Sequence, residues 1–396
     1  MQALLKRYIR LILEVQLKLQ TGDGLSINTE TNLFPFARQL ADEACRITGQ
    51  VTTIVETEEG KVVQALTIEP VQKEIFRPPL LKVVMCHLVD LGAFPFLTDE
   101  NELNIIEDVG RLAQYGCLSE PVFLDRRIAV PWANVPLPSE RWATEVFSQT
   151  ASTEETWSLF ATLLRLNDAY GSAFWEEQAN LLDYRKKHLN SLGQVHLTLI
   201  GDGFKLEADQ SPATCWAGGR TRLHDGRTFI PTLPIQSIHV ALNKESAQGD
   251  IEASRSFYLL GKLVKKARFT INDGVVVAYS ASEGKQALDA FFCLDEGARR
   301  VSEIYIADHD TIESRYLSNS IHPHFSQDIT TCIVFGGFSL DTLTTHQTQE
   351  DVEASNLNES LVRMIVPIGD SHLSLAAYDA LNIEHMILKE GIFCIE

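Results

Sequence analysis

Two histidines one residue apart, His322 and His324, follow His309-Asp310 in the chain, and imidazole and carboxylate groups are donors that suit a borderline transition metal. The pair straddles Pro323, so no helix or strand fixes the two rings toward one point, and the segment reads as a solvated loop. Cys332 offers a thiol, which attacks only where a base or a positive charge holds it as thiolate. Its surroundings, "DITTCIVFGG", are an apolar strand with no partner base in view, so a buried inert thiol is expected. Gly201-Asp202-Gly203 is a fragment of a phosphate loop, without G-x-G-x-x-G or G-K-S/T. The remaining histidines are dispersed and read as structural, and Trp132, Trp157, Trp175 and Trp216 read as core.

Composition narrows what such residues could serve. The chain has 396 residues, 45% of them hydrophobic and 22% charged, enough apolar surface for packed domains rather than disorder. Lys plus Arg number 34 against 53 for Asp plus Glu, a net charge of -19 that repels phosphate backbones and anionic lipids. Nucleic acid and membranes are therefore not expected partners. Seven cysteines, Cys45, Cys86, Cys117, Cys215, Cys293, Cys332 and Cys394, form no C-x-x-C pair and read as reduced thiols of a cytoplasmic protein. The apolar stretch from Leu4 to Leu19 is broken by Lys6, Arg7, Arg10, Glu14 and Lys18, unlike a signal peptide or a membrane span.

That stretch repeats its apolar residues at three- and four-residue steps and predicts a helix ended by Thr21-Gly22-Asp23-Gly24. A strand at Leu25–Asn28, a helix at Leu33–Thr48 and a β-rich run at Val51–Val55 follow, an alternation that predicts an α/β layer with parallel pairing. The Trp- and Pro-rich "RRIAVPWANVPLPSERW" places a boundary there, giving domains 1–130 and 131–396. Glu154 to Leu192 reads as helical. Beyond Val195 short β runs dominate, with a hairpin signal at Asn272-Asp273-Gly274 and a helix over Gly284–Ser302.

The C-terminal two-thirds resembles the thermophilic-type metallo-aminopeptidases, the aminopeptidase T and S family, in a series of ordered motifs. They are "VPWANVPLPSERWA", "LLDYRKKHLNSLGQVHLTLIGDGFKLEAD", "CWAGGRTRLHDGRTFIPT", "INDGVVVAYSASEGKQALDAFFCLDEGARRVSE", "CIVFGG" and "NESLVRMIVPIG". The resemblance implies an N-terminal α/β domain plus a larger C-terminal α+β domain, a homodimer held mainly through the C-terminal region, and a metal-site region within 229–370. It also implies peptide hydrolysis by two divalent metals, Zn, Co or Mg, held by two glutamates, two histidines and an aspartate.

Position by position, the match is poor at the ligands. The first glutamate should follow the Pro-Thr turn, where Leu233-Pro234 stands. The second is kept as Glu303, after Asp-Glu-Gly-Ala. The first histidine is replaced by Cys332, whose thiolate can still bind zinc. The family's tyrosine is replaced by Ser339, and its His-x-Asp by Arg363 and Ile365. A guanidinium has no lone pair for a cation, and one carboxylate cannot balance two 2+ ions. Two readings follow. In the first, the chain has lost the dimetal centre, carries no cofactor and acts as a binding or structural homologue for a peptide or small molecule, with Arg363 paired to Glu303. In the second, it is an active metal-dependent aminopeptidase with an altered site of Glu303, Cys332 and the His322 pair.

Overall fold

A computed structural model describes residues 1–58, 61–70, 79–92, 129–147, 149–168, 170–212, 214–317, 322, 324–343 and 355–395. Cys117, Pro323 and His346 lie outside them. The described residues fall into two compact units, the first drawn from 1–93, 121–179 and 219–235, the second from 180–218 and 236–396. This division and the boundary read near residue 131 differ, because the helices after that boundary and the turn around Pro231 group with the N-terminal sheet.

In the first unit the opening helix runs over Gln2–Arg10 and continues with π-type hydrogen bonds over Leu11–Gln16, burying Tyr8, Leu11, Ile12 and Leu13. Five strands follow: β1 (Gly24–Glu30), β2 (Thr52–Glu58), β3 (Lys61–Ile68), β4 (Val83–Asp90) and β5 (Trp132–Leu137). Their order is β3-β2-β1-β4-β5, with β2, β1, β4 and β5 parallel, as the alternation predicts, and β3 antiparallel at the edge. The helix Phe34–Thr48 joins β1 to β2, starts on Pro35 and stops at Gly49, whose φ of 66 suits the left-handed turn that ends a helix.

The helical region read as Glu154–Leu192 is two helices, Thr153–Leu163 and Gly171–Ser191, the second beginning in the first unit and ending in the other. Phe160 lies edge-on to Tyr8, Trp142 and Trp157; of the tryptophans read as core, Trp175 and Trp216 are buried, while Trp132 and Trp157 are half-buried. The helix Thr153–Leu163 starts with a capping box: the Glu155 N–H donates to Ser152 Oγ, and the Ser152 N–H to the Glu155 carboxylate. Ser152→Ala should therefore cost about 1 kcal/mol in urea unfolding. An unchanged midpoint would mean that packing alone sets this helix start.

In chain order the strands then run β6 (His196–Gly201), β7 (Phe204–Asp209), the first-unit hairpin β8 (Thr221–Arg222) and β9 (Thr228–Phe229), and β10 (Ile238–Ala241). Next come β11 (Gln248–Glu252), β12 (Phe257–Leu259), β13 (Lys262–Val264), β14 (Arg268–Asn272), β15 (Val275–Ser280) and β16 (Val301–Ile306). The last are β17 (Cys332–Gly336), β18 (Arg363–Pro367), β19 (Ser374–Tyr378), β20 (Glu384–Lys389) and β21 (Ile392–Phe393). The second unit is built on an eight-stranded sheet, β15-β14-β11-β7-β6-β19-β20-β21, and a four-stranded one, β10-β16-β17-β18.

Asn272-Asp273-Gly274 is the expected hairpin, with Asp273 and Gly274 at φ 49 and 76. Gly201-Asp202-Gly203 is likewise the turn of the β6–β7 hairpin. The Phe204 ring fills the space beside Gly201, where a Cβ would come within 2.2 Å of it, so no phosphate cradle forms there. The helix expected over Gly284–Ser302 is confined to Lys285–Phe291. Asp295 ends helical bonding by taking the N–H of Ala298 and of Leu361 and the Ser360 hydroxyl instead, and the chain turns into β16.

Candidate functional site

Glu303, Cys332, Arg363 and Ile365 lie on the four-stranded sheet and Ser339 next to it, whereas His309 bonds Gly391 O and Asp310 pairs with Arg315. Directly opposed residues of neighbouring strands share a face. Glu303 is opposite Val334, which is opposite Ile365; Tyr305 is opposite Cys332; Arg363 is opposite Gly336. On the other side of β16, Ala241 and His239 oppose Glu303 and Tyr305. One face thus carries His239, Glu303, Tyr305, Cys332, Ile365 and Arg363. Gly336, at φ 96, is where the backbone entering β18 comes close: a Cβ there would come within 2.1 Å of Val362 O, so only glycine fits opposite Arg363.

There Arg363 Nη2 meets Glu303 Oε2 in an ion pair and donates at 2.8 Å to the Tyr305 hydroxyl. Glu303 is fully buried and the Arg363 side chain 11% exposed. The pairing expected between these two charges is present, and its physical reason is that a buried carboxylate without a partner costs several kcal/mol. Ser339 completes the cage: its N–H donates to Glu303 Oε1 at 2.7 Å, and its hydroxyl lies 3.3 Å from Oε2 and 2.8 Å from the Tyr305 hydroxyl. Thr342 fixes that turn by donating to Ser339 O at 2.6 Å. The Tyr305 ring stacks on His239 at 4.3 Å, and His239 Nε2 lies 3.1 Å from Asp341. Burial above all pushes the Tyr305 hydroxyl up; Arg363 opposes this, while Glu303 and Asp341 add to it. The phenol stays protonated, able to donate to Ser339 while accepting from Arg363.

Cys332 is fully buried in an apolar cluster with Tyr305, Val334 and Ile365, and its thiol lies 3.2 Å from the carbonyls of Ser326 and Thr330. Burial, reinforced by Asp328 and opposed by Arg255, pushes the thiol up, so it is a neutral thiol and not an activated nucleophile. His322 is buried, accepts the His324 N–H at Nδ1 and lies edge-on to Phe325, as does His324. The reading of this segment as a solvated loop is corrected for His322, whose ring is packed away. Pro234 follows Leu233 through a cis peptide in the first unit.

The donor set does not fit two divalent metals. Both oxygens of Glu303 are engaged by Ser339 and Arg363, the Cys332 thiol already bonds the Ser326 and Thr330 carbonyls, Ile365 has no donor atom, and Arg363 repels a cation. Among the described residues no three His, Cys, Asp or Glu side chains gather to hold a metal ion.

A parallel α/β unit and a β-rich unit define a two-unit protein of mixed α/β class. The profile of the thermophilic metalloprotease (M29) family matches residues 1–393, and the chain belongs to that family. It is similar to aminopeptidase T of Thermus aquaticus, 24% identical over 94% of this chain and 93% of the relative. It is also similar to aminopeptidase 2 of Geobacillus stearothermophilus, 22% identical over 99% and 98%. In structure it resembles wild-type AmpT from Thermus thermophilus, with a TM-score of 0.72 and 20% identity over 100% and 99% of the two chains, which supports the mixed α/β fold.

Sequence reasoning missed Tyr305, His239 and Asp341, the groups that build the cage around the ion pair. The alternation Glu303-x-Tyr305 within "SEIYIAD" was the available signal, since two residues along a strand return to one face. Nothing local ties His239 to Asp341, which are 102 residues apart.

Proposed function

We propose that this chain keeps the family fold without the dimetal chemistry and acts as a non-catalytic homologue that binds a peptide, a small molecule or a partner. It works in the cytoplasm as a homodimer and carries no resident metal. The observation that carries this reading is the full engagement of Glu303: each oxygen already accepts from Ser339 or Arg363, so a cation would have to displace a buried guanidinium. Displacing it leaves Arg363 buried without its countercharge beside the incoming cation, a cost that binding through one carboxylate does not offset. An active site of altered composition has no comparable support, because Cys332 is fully buried with its thiol bonded to the Ser326 and Thr330 carbonyls.

Purified protein should retain less than about one transition metal per chain after dialysis, as expected where too few ligands exist for a zinc site. Leucyl and glutamyl chromogenic peptides should not be cleaved with added cobalt, zinc or magnesium. Stoichiometric metal, or chelator-sensitive release that Glu303→Gln abolishes, would overturn the reading.

A further inference from the structure

The eight-stranded sheet opens between β7 and β11. These strands pair only at Gln248 with Glu207 and at Gly249 with Leu206, and beyond that point Gly203 and Phe204 bend away into the hairpin with β6. In an antiparallel strand the N–H and C=O of successive residues face opposite sides. The Ala253 N–H goes to Ala267 O, on the β14 side, so those of Glu252 face the opening, where among the described residues no backbone group bonds them. The opening is part of a cleft of about 380 Å³ walled by Gly203 and Phe204, a volume at the small end for ligand sites. Its floor is two cross-strand rows on one face of the sheet, Asp250, Thr270 and Ala278 in one and Glu252, Arg268 and Ser280 in the other. Thr270, Ala278 and Ser280 are short, so the floor is hollow between the charged side chains. Glu252 is paired with Arg268 at 2.7 Å, whereas Asp250 accepts the Thr270 hydroxyl at 2.7 Å and meets no cation among the described residues.

We propose that this cleft binds a short extended peptide segment bearing a lysine or arginine, with its main chain paired to Glu252 and its cation on Asp250. A polypeptide main chain matches the Glu252 N–H and C=O together, because each of its residues offers an acceptor and a donor at strand spacing. Pairing of this kind is open to any sequence, and the side chains beside it make the choice. Here Asp250 makes it. A carboxylate with one neutral donor and no countercharge attracts a cation and repels an anion, and the net charge of -19 acts in the same direction at longer range. Arg268 does not cancel this, since its side chain is 69% exposed, held by a weak surface pair with Glu252, and free to swing outward. The volume suits a short segment and not a folded domain. This inference rests on the peptide-binding reading above and gives it a place, on a different sheet from Glu303.

Isothermal titration of the full chain with an acetylated and amidated pentapeptide, valine and threonine around a central lysine, tests the proposal. The blocked ends leave the lysine as the peptide's only charge. Binding should weaken about fivefold in Asp250→Asn, the effect of one exposed ion pair, and about as much when the amide nitrogen next to the lysine is methylated, the effect of one hydrogen bond. Ser280→Trp, at an exposed side chain, should fill the cleft and abolish binding with an unchanged circular dichroism spectrum. The same peptide with glutamate in place of lysine should not bind. A lysine peptide that fails to bind at millimolar concentration, a glutamate peptide that binds as well, or binding unchanged in both Asp250→Asn and Ser280→Trp overturns the proposal. A methylated peptide that binds equally removes the main-chain pairing and overturns it too. None of these results bears on metal content or on chromogenic peptide cleavage, by which the non-catalytic reading stands or falls, so the two fail separately.

Discussion

Arg363→Met is expected to lower unfolding stability by about 3–5 kcal/mol, the range for removing one member of a buried ion pair. Methionine fills much of the volume of the arginine stem, so the loss reports the charge rather than a void. Glu303 would keep its two contacts to Ser339 but lose its countercharge, and the Tyr305 hydroxyl would lose a donor. Urea unfolding at pH 7 measures the cost. Glu303→Gln added to Arg363→Met should return more than half of the loss, because a neutral amide still accepts from Ser339. If Arg363→Met costs less than about 1 kcal/mol, as an exposed pair would, the guanidinium is not what neutralises Glu303 and the argument against a metal weakens with it.

How much of this was legible from the chain follows the range of the interactions. The helix Phe34–Thr48 and the hairpin at Asp273-Gly274 are set by neighbours in sequence, a proline at the start, a left-handed glycine at the end, two residues at positive φ, and both were read correctly. The ion pair of Glu303 with Arg363 was readable only through the family motifs, since no local pattern links residues 60 apart. The helix expected through Ser302 failed for a related reason. Asp295 and Gly297 look helical in sequence, yet Asp295 is captured by Ser360 and Leu361, and a Cβ on Gly297 would come within 2.0 Å of Glu359 O. Periodicity reports one face of one element; it does not report the distant strand that competes for the same backbone.

Asp328→Asn is expected to stabilise the protein at neutral pH. The Asp328 carboxyl is buried beside Gln236 and Ser237 and near the second buried acid, Glu313, which accepts from Gln236 Nε2 at 3.0 Å. Burial above all raises it to about 6, against the pull of the Gln236 and Ser237 N–H groups and the Ser237 hydroxyl, and Glu313 adds to the rise. All three donors converge on one oxygen, Oδ1, at 2.8 to 3.0 Å, and an amide oxygen can take the same bonds. The sign follows from the direction of the shift. A carboxyl raised in the folded protein binds more protons there than in the unfolded chain, so stability falls as pH rises from about 4 through about 6. Above that window the cost of holding a buried anion is fully present, on the order of 2–3 kcal/mol for a shift of this size. Asparagine cannot ionise, so the variant should gain up to that amount at pH 7, show no gain at about pH 4, and lose the wild-type slope between. Urea midpoints at four or five pH values measure both curves. A variant less stable than wild type at pH 7 would mean that a cation already balances the Asp328 anion, and a gain equal at all pH values would mean that the carboxyl does not titrate in this window.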